Sequence, residues 1–189
     1  MVSTFAIRFY AWKAYAFADD SMQCTVNGYF DVGSRFEWLD KIIRPKLLEL
    51  KTLQEKISFT ERVLLKRLSA VRENTVVNDT MQNILINKGS LDIAKLAKES
   101  FVSTRQLERL FHEYVGITPK KLSNLIRYQF LWRDVLCEPD FDVLNAVHKF
   151  GYTDQSHLLR EFKRYHSMDI HNARMMAFKD VGNIQDVFV

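Results

Sequence analysis

The chain has 189 residues, 47% hydrophobic and 26% charged, with a formal charge of +4 and a pI near 9.0. That composition excludes a disordered chain and allows one good core or two small ones. The mild positive charge is compatible with an anionic partner but does not by itself identify one. Cys24 and Cys137 stand alone, without CxxC or His-rich spacing, so they read as reduced thiols of a cytoplasmic protein that binds no metal and needs no cofactor.

The N-terminal stretch MVSTFAIRFYAWKAYAFA is interrupted by Arg8 and Lys13, and no window reaches the roughly 18 apolar residues of a membrane span. Neither export nor a membrane partner is expected. Phe5, Ile7 and Phe9 alternate with Ala6, Arg8 and Tyr10, and Trp12 to Phe17 is again rich in aromatics, which predicts one or two β-strands within residues 1–33.

Ser34 with Glu37 and Ser58 with Glu61 fit the S-x-x-E capping box and predict two helix starts, with a break near Arg44 before Pro45. Ile43, Leu50, Ile57, Leu64 and Val71 fall seven apart, with Leu39 and Leu53 at the companion position. Residues 34–73 therefore read as a helical hairpin, either with an apolar stripe for its own core or with a homodimer seam formed by Ile43, Leu50, Leu53, Ile57 and Leu64. Residues 74–84, polar and followed by Gly89, read as a linker, with a short helix over 79–87.

Beyond it the pattern doubles. Ile93, Leu96 and Ala97 form the stripe of one short helix; after a three-residue turn, Ser103 starts a second whose Leu107, Leu110, Phe111 and Tyr114 face inward until Gly116. Shifted by 51 positions, Ser103 falls on Asp154, Leu107 on Leu158, Arg109 on Arg160 and Phe111 on Phe162, while Phe101 falls on Tyr152. The second copy has Val143, Ala146 and Val147 as its first stripe and a turn one residue longer, from Phe150 to Thr153.

Two short helices joined by a tight turn make a helix-turn-helix, whose second helix has an outer face free to enter a major groove. That face carries Thr104, Arg105, Glu108, Arg109 and His112 in the first copy, and Gln155, Ser156, Leu159 and Arg160 in the second. Arg bonds guanine O6 and N7 bidentately, Glu accepts from cytosine N4, and Leu159 meets a thymine methyl or weakens the second copy. His112, Lys120, Lys121, Arg127, His157, Lys163, Arg164 and Arg174 are the expected phosphate contacts. Between the copies, Pro119 opens a helix reaching about Leu136, a rod of roughly 27 Å. No HExxH or nucleophile motif accompanies the five histidines, so no enzyme and no catalytic residue is expected.

The arrangement resembles the C-terminal DNA-binding domain of the AraC/XylS family of bacterial transcription regulators. Its first-copy pattern stands here as Ser103, Leu107, Arg109, Phe111, Gly116, Thr118 and Pro119, and its second as Gly151, Tyr152, Asp154, Ser156, His157, Leu158, Arg160, Phe162, Lys163 and Arg164. The chain departs from the family after the second copy, where Ser167, Met168, Asp169 and Ile170 replace G-x-[ST]-P.

The resemblance implies a mostly α fold in which residues 85–178 form two helix-turn-helix subdomains on a linker helix, with 179–189 as a tail. It implies double-stranded DNA as partner, with RNA polymerase beyond it, and Arg105, Glu108, Arg109, Gln155, Ser156 and Arg160 as base readers. Residues 1–33 would be the remnant of a sensor domain too small to hold a small-molecule effector, as in a shortened regulator or the C-terminal part of a longer one. The competing expectation is a protein-interaction antagonist that pairs with a full-length relative through its hairpin.

Overall fold

The computed structural model describes residues 4–71 and 73–179; the expected tail beyond Lys179 lies outside them. Among the described residues it is helical, with nine α-helices and no strand. The expected β segment is therefore corrected. Phe5, Ile7 and Phe9 do alternate, half-buried, with exposed neighbours, but no second strand lies beside them to complete a ladder. The aromatics pack as a cluster instead: Phe9 stacks on Phe17 at 4.7 Å, and Trp38 Nε1 donates to the Phe17 carbonyl at 2.6 Å. Ala14–Ala16 and Met22–Thr25 are single 3-10 turns, each burying small or flexible side chains.

Helix α1 runs Glu37–Glu49 and α2 Leu53–Leu68. Their starts differ from the expected ones. Ser34 ends a 3-10 turn, and the α1 N-cap is Phe36, without a side-chain bond; the Glu37 amide donates instead to Asp19 Oδ2 at 2.6 Å. The second capping box is Thr52 with Glu55, whose reciprocal bonds are both present, and Ser58 lies one turn inside the helix. Nor does Pro45 break α1. It sits on an exposed face, where water can take up the carbonyl left unpaired one turn earlier. Ile43 is 1% exposed and belongs to the core of its own unit, so it leaves the expected dimer seam; Leu53 is 65% exposed.

The expected linker is largely helical. Helix α3 spans Thr75–Ile86, and Val77, Met81 and Ile84 are fully buried at i, i+4 and i+7. The remaining helices are α4 (Ile93–Glu99), α5 (Thr104–Tyr114), α6 (Pro119–Cys137), α7 (Val143–Phe150), α8 (Gln155–His166) and α9 (Ile170–Lys179).

Two compact units result. Among the described residues, one comprises 4–71, 73–82 and 93–119, the other 83–92 and 120–179. The second is built on Leu131 and Val135 of α6, Val147 and Phe150 of α7, Leu158 and Phe162 of α8, and Ile170 and Ala173 of α9. Asp134 of α6 holds Lys149 of α7 at 2.6 Å.

Candidate nucleic-acid interface

Each copy of the repeat is positioned by the same local devices. In the first, Leu96 and Ala97 of α4 are buried, and the Ser103 hydroxyl accepts from the Gln106 amide at 3.1 Å to start α5. In the second, Asp142 caps α7, and Asp154 accepts from the His157 amide at 2.7 Å to start α8. Leu107 and Phe111 are fully buried in one unit, as their counterparts Leu158 and Phe162 are in the other.

The turns differ by one residue. Each first helix ends on a left-handed residue followed by a six-to-one hydrogen bond: Val102 N–H to the Ala97 carbonyl at 3.1 Å, and Tyr152 N–H to the Val147 carbonyl at 3.0 Å. The left-handed residues are Phe101 (φ 55°) and Gly151 (φ 65°), 50 positions apart, whereas the caps Ser103 and Asp154 are 51 apart. Val102, not Phe101, is thus the counterpart of the buried Tyr152, and Phe101 stands 97% exposed where the other copy has glycine.

The repeat also survives where the sequence departs from its pattern. Ser167 takes the left-handed conformation of Gly116 (φ 64° and 90°), Asp169 accepts from the Asn172 amide at 2.9 Å to cap α9, and Ile170, 8% exposed, starts that helix as Pro119 starts α6.

Thr104, Arg105, Glu108 and Arg109 all project from the exposed face of α5, and their side chains bond no other described residue. On α8, Gln155, Ser156 and Arg160 do the same, with Leu159 41% exposed among them. Lys120, Lys121 and Lys163 are exposed; Arg164 is exposed with its guanidinium 5.9 Å from the Tyr165 ring. His112 is half-buried, its Nδ1 without a partner among the described residues. His157 stands edge-on to Tyr152, with Nε2 3.9 Å from Glu161.

Two of the expected phosphate contacts have structural duties instead. Arg127 is 7% exposed, and its Nη2 donates to both Glu161 oxygens at 2.8 Å while the guanidinium lies 4.1 Å over the Tyr152 ring. Little of its surface is left for a phosphate. Arg174 donates to the Glu138 and Pro139 carbonyls at 2.7 and 2.8 Å, tying α9 to the end of α6. Sequence reasoning found Arg127 by its charge and missed Glu161, whose only signal was an acidic residue on an otherwise basic helix.

Burial, reinforced by the Glu161 charge, pushes the Tyr152 phenol well above its ordinary value, so it stays protonated and donates to Glu161 at 3.0 Å. Burial also lowers His166, which stacks on Phe162 and shares a 2.7 Å hydrogen bond with the Tyr128 hydroxyl. Among the described residues no group of three or more His, Cys, Asp or Glu could hold a metal, and no helix is long and apolar enough to cross a membrane.

Two capped helices with exposed polar and cationic outer faces, each preceded by a short helix and a tight turn, have the form of helix-turn-helix units. Residues 96–175 match a family model described as a helix-turn-helix domain. A solved transcriptional regulator with an AraC-type DNA-binding domain, from Chromobacterium violaceum, is 20% identical, with a TM-score of 0.48 over 53% of this chain and 90% of its own. No curated protein matches.

Proposed function

We propose that the chain recognises a bipartite DNA site, with α5 and α8 each entering one of two successive major grooves of the same duplex. The observation that carries this reading is the matched pair of outer faces, where Arg105 and Arg109 in one copy, and Gln155 and Arg160 in the other, have no partner within the described chain. Buried or paired arginines would point to scaffold; unpaired ones at the exposed face of a capped helix suit base edges. Helix α6, 19 residues and so roughly 28 Å long, is of the order of the ~34 Å helical repeat of DNA.

In this reading Thr104, Arg105, Glu108, Arg109, Gln155, Ser156, Leu159 and Arg160 meet bases, while Lys120, Lys121, Lys163 and Arg164 meet phosphates and supply most of the affinity. Self-association through Leu50, Leu53, Ile57 and Leu64 of the hairpin belongs to the same reading, and sedimentation of Leu53→Lys against the parent checks it. Selection of bound duplexes from a random pool tests the whole: two conserved blocks centred about 10–10.5 base pairs apart are expected. Enrichment of no motif would overturn the reading in favour of an antagonist acting through the hairpin.

A further inference from the structure

The first reading helix does not stand alone in its unit. The 3-10 turn Met22–Thr25 is seated on its C-terminal end. The Ser21 hydroxyl donates to the Glu113 carbonyl at 3.5 Å, and the Tyr15 ring meets Tyr114 edge-on at 4.8 Å. Met22 is buried, and its carbonyl oxygen would lie 2.6 Å from a Cβ placed on Gly116, which also has a φ of 90°. A residue other than glycine there would push the turn away.

This seating fixes the direction of the next side chain. Ser21 caps the turn by accepting from the Gln23 amide at 3.3 Å, Met22 points inward, and Gln23 is exposed. It joins Ser103, Arg105, Gln106, Glu108, Arg109 and His112 around one open hollow of about 760 Å³. The hollow is the outer face of α5 itself. Its wall includes three of the four α5 side chains expected to read bases, and the Gln23 carboxamide, like them, bonds no other described residue.

We infer that Gln23 is a DNA contact, contributed by the N-terminal segment to the surface with which α5 reads the groove. A carboxamide offers a donor and an acceptor at once, which suits base edges and sugar-phosphate oxygens alike. A neutral side chain also avoids adding repulsion beside two arginines. Held by a turn anchored on Glu113, Tyr114 and Gly116, it needs little ordering when DNA arrives, which lowers the entropic cost of the contact. The inference rests on α5 being a reading helix.

The test uses the full chain and two labelled duplexes, one selected from a random pool by the protein itself and one of random sequence. Gln23→Ala is expected to weaken binding to the selected duplex about 3- to 10-fold, and Gln23→Glu to weaken it more, because a carboxylate repels phosphate. Gln23 is exposed, so both variants should melt as the parent does. Cys24, exposed beside it, gives a second readout: in a Cys137→Ser background, the selected duplex should slow its alkylation by a maleimide. Parent-like affinity of both variants with unchanged alkylation would overturn the inference, as would tighter binding, which would make the turn an obstruction. Arg109→Ala, measured alongside, separates the two levels: if it too binds as the parent does, the reading of α5 fails; if it weakens while Gln23→Ala does not, this inference alone fails.

Discussion

Arg127 on α6 and Glu161 on α8 form a nearly closed ion pair, with side chains 8% and 10% exposed and two bonds of 2.8 Å. Tyr152 completes it from the turn before α8, donating to Glu161 and lying beneath the guanidinium. Helix α8 is thus locked to α6 by a charge pair, in addition to the apolar seat of Leu158 and Phe162. Removing one partner leaves the other charge buried. Arg127→Ala should destabilise the protein by about 3–5 kcal/mol, whereas Arg127→Met combined with Glu161→Leu should recover most of the loss. Denaturant melts of Arg127→Met, Glu161→Leu and their combination check this; a loss in the combined variant equal to the sum of the two single losses would mean the pair is not coupled. The salt slope of DNA binding should not change in the folded double variant, as it would if Arg127 met a phosphate.

The side chains proposed to meet bases should behave differently from such scaffold residues. Arg109→Ala and Arg160→Ala remove exposed side chains without internal partners, so melting should be unchanged. Each is expected to cost about 1–3 kcal/mol on the selected duplex and to relax preference at one position of its half-site. Lys163→Ala should instead weaken selected and random duplexes alike, with a shallower dependence on salt. Competition titrations at two salt concentrations distinguish the patterns, and equal losses on both duplexes for the arginine variants would remove them from the base-reading set.

Phe101 is a left-handed residue with a large side chain that buries almost nothing. The other copy solves the same turn with Gly151. A non-glycine residue at φ 55° is strained by about 1 kcal/mol, and the ring offers no packing in return. Phe101→Gly should therefore stabilise the protein by up to about 0.5 kcal/mol, the part of the relieved strain that glycine's greater loss of backbone freedom does not offset. Thermal melts read the sign directly. A loss instead would show that the exposed ring makes a contact in solution.

How much of this was legible in the sequence divides along physical lines. Helices α4, α5, α7 and α8 were, because burial every third or fourth residue and a capping residue before α5 and α8 are local signals that tertiary context did not override. The capping box at Thr52 and Glu55 was equally present, but Ser58 and Glu61 carry the same pattern, and nothing local separates a cap from a helix interior. The alternation of Phe5, Ile7 and Phe9 correctly marked a half-buried face. It did not make a strand, since a ladder needs a partner and none lies beside it among the described residues. The Arg127–Glu161 pair and the seating of Gln23 over α5 are long-range juxtapositions, 34 and about 85 residues apart, with no periodicity to announce them.

The last expectation concerns pH. His166 lies against Phe162 and Trp132, with ring centroids 5.0 and 4.3 Å away, and burial lowers its proton affinity in the folded state. The unfolded chain, with an ordinary imidazole, binds the proton more readily, so stability must fall as pH drops below the usual histidine value of about 6.5 and level off once the folded ring also protonates. The carboxylates held low by their partners, Glu55 by the Thr52 amide and hydroxyl and Asp169 by the Asn172 amide, lose their contribution further down, below about pH 4.5. Between pH 7 and 5 the decline should therefore belong largely to His166. Melting temperatures across that window should fall for the parent and stay flatter for His166→Gln, whose amide can still meet the Tyr128 hydroxyl but takes up no proton. An equally steep decline in the variant would assign the titration to another group.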